Sequence, residues 1–216
     1  MKIIDMSQPL FHNCPAWPTY EMTRFNYETV VGNDGFTSER MDMNSHTGTH
    51  LDAPFHFFPG LETIDQMPID KFIGKAHILN FKGIPPASGI GKEQLAPYLD
   101  AIQPDDIVLL YTGWDVKRNV SNEYYHDWPY LTGEGAEALL ARKVKGVGID
   151  GLSMGGWYEG CGRPCHEALL SNGVWLLEEV RFPEELLKYK TCQLYAVPLL
   201  LKGFGGSPTR AFAIVD

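Results

Sequence analysis

Short runs of Val, Ile, Leu and aromatic residues, each bounded by Gly, Pro, Asp or Ser, recur along the chain. They predict strands over residues 2–6, 40–44, 76–81, 107–112, 144–149, 174–177, 192–201 and 210–215. Helical spacing replaces alternation in three places, over residues 91–99, 133–143 and 164–171. The second of these follows Thr132 and sets Ala136, Leu139, Leu140 and Val144 at helical intervals. The third has Pro164 in its first turn, where a missing N–H costs nothing. Strands outnumber helices, and two of the three helices fall in the second half. This order predicts an α/β fold, a single domain over residues 1–216 with a mixed β-sheet and flanking helices. No repeat or linker-like stretch divides the chain. No predicted strand runs into a glycine-rich phosphate loop, so a nucleotide cofactor has no support.

Composition narrows the classes. Of 216 residues, 44% are hydrophobic and 12% aromatic, enough for a sizeable core. The net charge of −9 argues against nucleic-acid binding, which needs a basic surface. No stretch approaches the roughly 20 apolar residues of a membrane span, and the N-terminus lacks a signal-peptide pattern. The four cysteines make no dense disulfide framework, so a cytoplasmic protein with free thiols is expected.

The chemistry concentrates in residues 46–58, His-Thr-Gly-Thr-His-Leu-Asp-Ala-Pro-Phe-His-Phe-Phe. His46, His50, Asp52 and His56 all sit at even positions, one face of an extended strand, with Leu51 and Phe55 facing the other way into apolar packing. Four residues of straight strand span about 13 Å, too far for His46 and His50 to share one ion. The chain must bend between them, and Gly48 permits it. Pro54 breaks the ladder and aims His56 from a turn. A hydrogen-bonded polar strip is the plainer alternative, and for His12, His77 and His126 taken singly a structural role is the better reading. For His46, His50 and Asp52 together, burying three unpaired polar groups would cost several kcal/mol, and a divalent cation satisfies all three.

The segment from His46 to His56 resembles the HxGTHxDxPxH signature of the cyclase family, whose members include bacterial kynurenine formamidase and isatin hydrolase. The likeness extends to Ala16-Trp17-Pro18, to Leu110 through Trp114, to Gly148-Ile-Asp150 and to Pro198 through Arg210. It implies a swivelling β/β/α-like fold, and His166 followed by Glu178 at the family's separation. It further implies that His46 and His50 bind one ion and His166 a second, with Asp52 and Glu178 bridging or sharing them. His56 would be the acid/base and Trp17 an aromatic substrate contact. The family assembles as dimers or tetramers, which implies a homodimer or homotetramer here. Independently, Glu178 closes the apolar run Val174-Trp-Leu-Leu177, which carries it into the core, where a carboxylate needs a partner. The alternatives are a surface Glu178 beside Glu179 and a His166 that caps a helix start. The chain departs from the family over residues 151–160, expected to line the substrate pocket, and at Gly205, often acidic in relatives.

Other signals are weaker. Cys161 and Cys165 lie too far apart for a haem motif, and no second pair builds a zinc site of four cysteines. Ser153 lacks a nucleophile elbow. Trp114, Trp128 and Trp157 suit a core as well as a ligand. The expectation is therefore a metal-dependent hydrolase of a small, aromatic amide. It would use zinc as one or two ions, with manganese as the alternative. Competing readings are a hydrolase that opens a cyclic amide or lactone, and a metal- or ligand-binding protein without activity.

Overall fold

The run Ile107-Val-Leu-Leu-Tyr111 is buried at every position, as a strand covered on both faces must be. Its side chains alternate between two cores. Ile107, Leu109 and Tyr111 join Ile4, Leu51, Trp175 and Leu177 on one face. Val108 and Leu110 join Val147, Leu176 and the helical Leu139 and Leu169 on the other. A computed structural model describes all residues from Met1 to Asp216. In chain order the strands are β1 (Lys2–Asp5), β2 (Arg24–Thr29), β3 (Ser38–Asp42), β4 (His50–Asp52), β5 (Ile73–Asn80), β6 (Gly89–Ile90) and β7 (Ile107–Tyr111). They continue with β8 (Tyr130–Leu131), β9 (Gly146–Ile149), β10 (Trp175–Glu178), β11 (Thr191–Tyr195), β12 (Gly206–Pro208) and β13 (Phe212–Val215). The helices are α1 (Val31–Asp34), α2 (Lys92–Leu99), α3 (Asn122–His126), α4 (Gly133–Leu140) and α5 (Arg163–Ser171).

Nine strands form one mixed sheet in the order β1-β13-β11-β5-β7-β9-β10-β4-β12. Its centre, β5-β7-β9-β10, is parallel. Antiparallel strands extend it on both sides. The mixed-sheet α/β expectation is met, with α2, α4 and α5 supplying the helical face of the second core.

The differences from the sequence reading have local causes. The strand expected over 192–201 stops at Tyr195. Beyond it Pro198, which lacks an N–H, makes only an isolated bridge to Thr209. The strand expected over 40–44 is the outer arm of a hairpin, β2 against β3, that carries no fully buried residue. No helix is long and apolar enough to cross a membrane.

Candidate metal centre

β4 is only three residues long, yet it lies between β10 and β12, and the register decides what meets. His50 pairs opposite Glu178, and Asp52 lies opposite Leu176 on one side and Gly206 on the other. Leu51 turns into the first core, as alternation predicts, leaving His50 and Asp52 on the face covered by α5. Gly48, at φ +68, makes the bend that brings His46 back over His50, whose ring centroid lies 5.2 Å away. Gly206 leaves room for that ring, since a Cβ there would lie 2.5 Å from His46 Cε1. The expectation for Phe55 fails. Pro54–His56 forms a 3-10 turn, which resets the alternation and leaves Phe55 37% exposed.

Gly48→Ala is expected to destabilise the protein by about 2 kcal/mol, because an L-residue is strained in this left-handed conformation. A Cβ would also press Leu10 Cδ2 at 2.5 Å. For a chain of this size that corresponds to a Tm lower by roughly 4–8 °C. A thermal melt within a degree of the parent would refute the strain argument.

Two groups of three side chains could hold a metal ion, and Asp52 belongs to both. They are His46, His50 and Asp52, and Asp52, His166 and Glu178. His46 Nδ1 lies 2.6 Å from Asp52 Oδ1. His50 Nε2 lies 3.4 Å from both Asp52 Oδ1 and Glu178 Oε2. His166 Nε2 lies 3.2 Å from Glu178 Oε1 and 4.0 Å from Asp52 Oδ2.

The ring tautomers follow from the partners of the other nitrogens. His50 Nδ1 is 2.8 Å from the Gly48 carbonyl, and His166 Nδ1 is 2.8 Å from the Gly162 carbonyl. A carbonyl only accepts, so each Nδ1 carries a proton, and the ring in its neutral form turns a bare Nε2 to the carboxylates. His50 Nε2 is buried with no hydrogen-bond partner. Such an orphan is costly in a protein interior, and an electrophilic ion is the partner its lone pair lacks. His166 is thus an inward-facing residue of α5 rather than the cap of a helix start.

The electrostatics agree. Burial opposes ionisation of Glu178, as does the charge of Asp52, but the adjacent His166 and His50 rings bring its pKa down to about 2. Burial also works against Asp52, yet the His46 and His56 rings hold it well below the usual carboxylate range. Burial disfavours charge on His50, but Asp52 and Glu178 outweigh it and raise its pKa well above the ordinary value. The cluster therefore demands positive charge. Protons answer that demand when nothing else does, and a divalent cation competes with them for the same lone pairs.

His56 stands beside this set without belonging to either triad. Its ring stacks on His46 at 4.0 Å, and burial foremost lowers its pKa. Trp17 lines the cavity of about 300 Å³ above the cluster, as do His56, Leu152 and Ser153. Residues 151–160 thus do contribute to the pocket. Tyr20, Phe57 and Arg163 also line it, and nothing in their local sequence signals this. Ser153 donates to Glu178 Oε1 at 3.1 Å, and the Met154 N–H donates to the same oxygen at 2.6 Å.

The remaining signals resolve structurally. Trp114 and Trp128 belong to a small core, against which Trp17 and Trp157 pack. His77 pairs with Asp106, His126 bonds the Asn122 carbonyl, and His12 meets the Phe25 backbone. All four cysteines are free, and Tyr130 donates to Cys161. Burial pushes the Asp150 carboxyl up to about 7 against four donors from Thr112, Gly113 and Trp114. Glu179 is no surface residue. It is buried, and its carboxylate accepts from Arg118 Nε at 2.6 Å and from Tyr124. Glu178 and Glu179 thus serve opposite sides of one strand end.

Fold and site together define a mixed-sheet α/β protein with a pocket floored by imidazoles and carboxylates of metal-ligand type. Residues 4–155 match the family described as "Putative cyclase", and the chain belongs to that cyclase family. It is similar to the kynurenine formamidase of Bacillus mycoides, with 30% identity over 212 residues covering 96% of this chain and 95% of the relative. The kynurenine formamidase of Bacillus thuringiensis is 29% identical over 214 residues, covering 96% and 95% of the two chains. A Bacillus stearothermophilus protein described as a predicted metal-dependent hydrolase superposes with a TM-score of 0.81 at 27% identity, covering 98% of this chain and 97% of that one. Isatin hydrolase A of Labrenzia aggregata superposes with a TM-score of 0.87 at 23% identity, covering 99% and 93%, and shares the fold.

Proposed function

We propose that this chain is a metal-dependent hydrolase of a small aromatic amide, of the kynurenine formamidase kind. The observation that carries the reading is Asp52, common to two triads and facing a buried imidazole nitrogen that has no hydrogen-bond partner. Near end-to-end similarity to kynurenine formamidases supports the amide as substrate. His46, His50 and Asp52 would hold one ion, and His166 and Glu178 with Asp52 a second. A divalent ion there supplies a Lewis acid for a carbonyl and draws the pKa of water toward neutrality. His56, kept neutral by burial, takes a proton on its ring nitrogen from the attacking water and returns it to the leaving amine. Trp17 and Phe57 provide flat walls that orient an aromatic substrate and exclude solvent.

Imidazole and carboxylate ligands suit zinc and manganese alike, and zinc is the first choice. The exposed Tyr27, Val31, Phe36 and Met41 of the β2–β3 hairpin support a homodimer or homotetramer. The four free thiols support a cytoplasmic setting.

Chelation tests the metal and the activity together. Metal-free protein is expected to melt lower than protein in saturating zinc or manganese. Binding at 100–1,000 times Kd contributes about 3–4 kcal/mol, or roughly 6–16 °C for this chain length. N-formylkynurenine hydrolysis should disappear on chelation and return with the ion. The absence of both a Tm shift and turnover with either metal would overturn the proposal.

A further inference from the structure

The geometry points to Arg163 as a specificity-determining residue that reads a carboxylate on the substrate, at the end of the pocket away from the reacting amide. Of the residues that line the cavity, Arg163 alone carries a permanent positive charge. Its guanidinium lies 5.2 Å from the centroid of Phe57, and Phe57 in turn stacks on His166 at 4.8 Å and 9°. Guanidinium, ring and metal-ligand candidate thus form three successive layers along one wall. A planar substrate that reaches the floor with its amide carbonyl, and lies along this wall, brings its far substituent to Arg163.

The arginine is also held in place for that task. Nε and Nη2 both donate to Glu167 Oε1, at 2.9 and 2.7 Å, one helical turn along α5. An exposed pair of this kind stabilises the fold little. It fixes the guanidinium plane while leaving the three other N–H groups, on Nη1 and Nη2, open to a carboxylate in the two-point geometry that arginine favours. Without the pair, a side chain that is 72% exposed would sample many rotamers. Glu178, the one carboxylate of the lining, is held at the floor by His166, Ser153 and the Met154 N–H and so does not occupy the guanidinium.

The inference rests on the amide-hydrolase reading for one arm of its test and stands apart from it in the other. In the kinetic arm, zinc-loaded protein is given 4-formamidobenzoate, whose carboxylate lies across the ring from the amide, and formanilide, which has none. The parent is expected to favour the anionic probe in kcat/KM. Arg163→Ala should collapse that preference by about 10–100-fold, through KM rather than kcat, and Arg163→Lys should recover part of it. In the binding arm, calorimetry compares benzoate with benzamide on the same proteins. Benzoate should bind more tightly to the parent, and Arg163→Ala should remove the difference. Benzoate binding through Arg163 without hydrolysis of either formamide would sink the hydrolase reading and keep this one. Hydrolysis of both probes with a preference that Arg163→Ala does not change would do the reverse.

Discussion

Asp52→Ala is expected to yield a folded protein that purifies without bound divalent metal and hydrolyses its amide substrate about a thousandfold more slowly or worse. The magnitude follows from position. Loss of a group that merely supports a ligand weakens metal binding about 10–100-fold, and Asp52 is a member of both candidate triads. Its removal takes the shared carboxylate from His46 and His50 and from His166 and Glu178 at once. Loss of a single preorganised electrostatic group already costs about 100–1,000-fold in turnover. Asp52→Asn sharpens the test, since an amide oxygen can still accept from His46 Nδ1, 2.6 Å away, while the charge is gone. Elemental analysis of both variants, with circular dichroism to establish folding, decides the matter. A folded Asp52→Asn protein that carries metal at the parent's stoichiometry would refute the shared-ligand role. His46→Ala and Glu178→Gln, each touching one triad, should lose less than Asp52→Ala.

The sequence made the centre of this fold readable because local pattern and tertiary role coincide there. Buried parallel strands must be apolar throughout, so Ile107–Tyr111 could be recognised from a short run alone. The bend at Gly48 could be anticipated because the reach of a strand and the length of a metal–ligand bond conflict. What escaped depends on partners distant in the chain. β12 has no alternation to announce it and exists as a strand because β4 lies beside it. Phe55 was misplaced because alternation was carried past Asp52, where Pro54 begins a turn. Nothing local announces that Glu179 is buried, because Arg118, which neutralises it in the interior, lies 61 residues away. Tyr20 and Arg163 reach the pocket only through the packing of the N-terminal segment and α5 around it. Sequence therefore exposed the ligand candidates, which cluster locally, better than the pocket walls, which do not.

His56→Ala separates proton transfer from metal binding. The ring is carried on the 3-10 turn Pro54–His56, whose start is fixed by Pro54 and whose His56 N–H bonds the Ala53 carbonyl. It belongs to neither triad, so the variant is expected to retain the parent's metal content. Its kcat should fall by about 100–10,000-fold, the usual contribution of a positioned acid/base group, with KM changed far less. The stacking of His56 on His46 at 4.0 Å offers a competing account, in which the imidazole only props a ligand in place. The two accounts differ in what repairs the variant. If His56 moves the proton, imidazole added to His56→Ala restores part of kcat, while His56→Phe, which keeps a flat ring against His46, stays slow. If it only packs, His56→Phe recovers turnover and added imidazole does nothing. Retained metal, imidazole rescue and a slow His56→Phe together assign the proton to this ring.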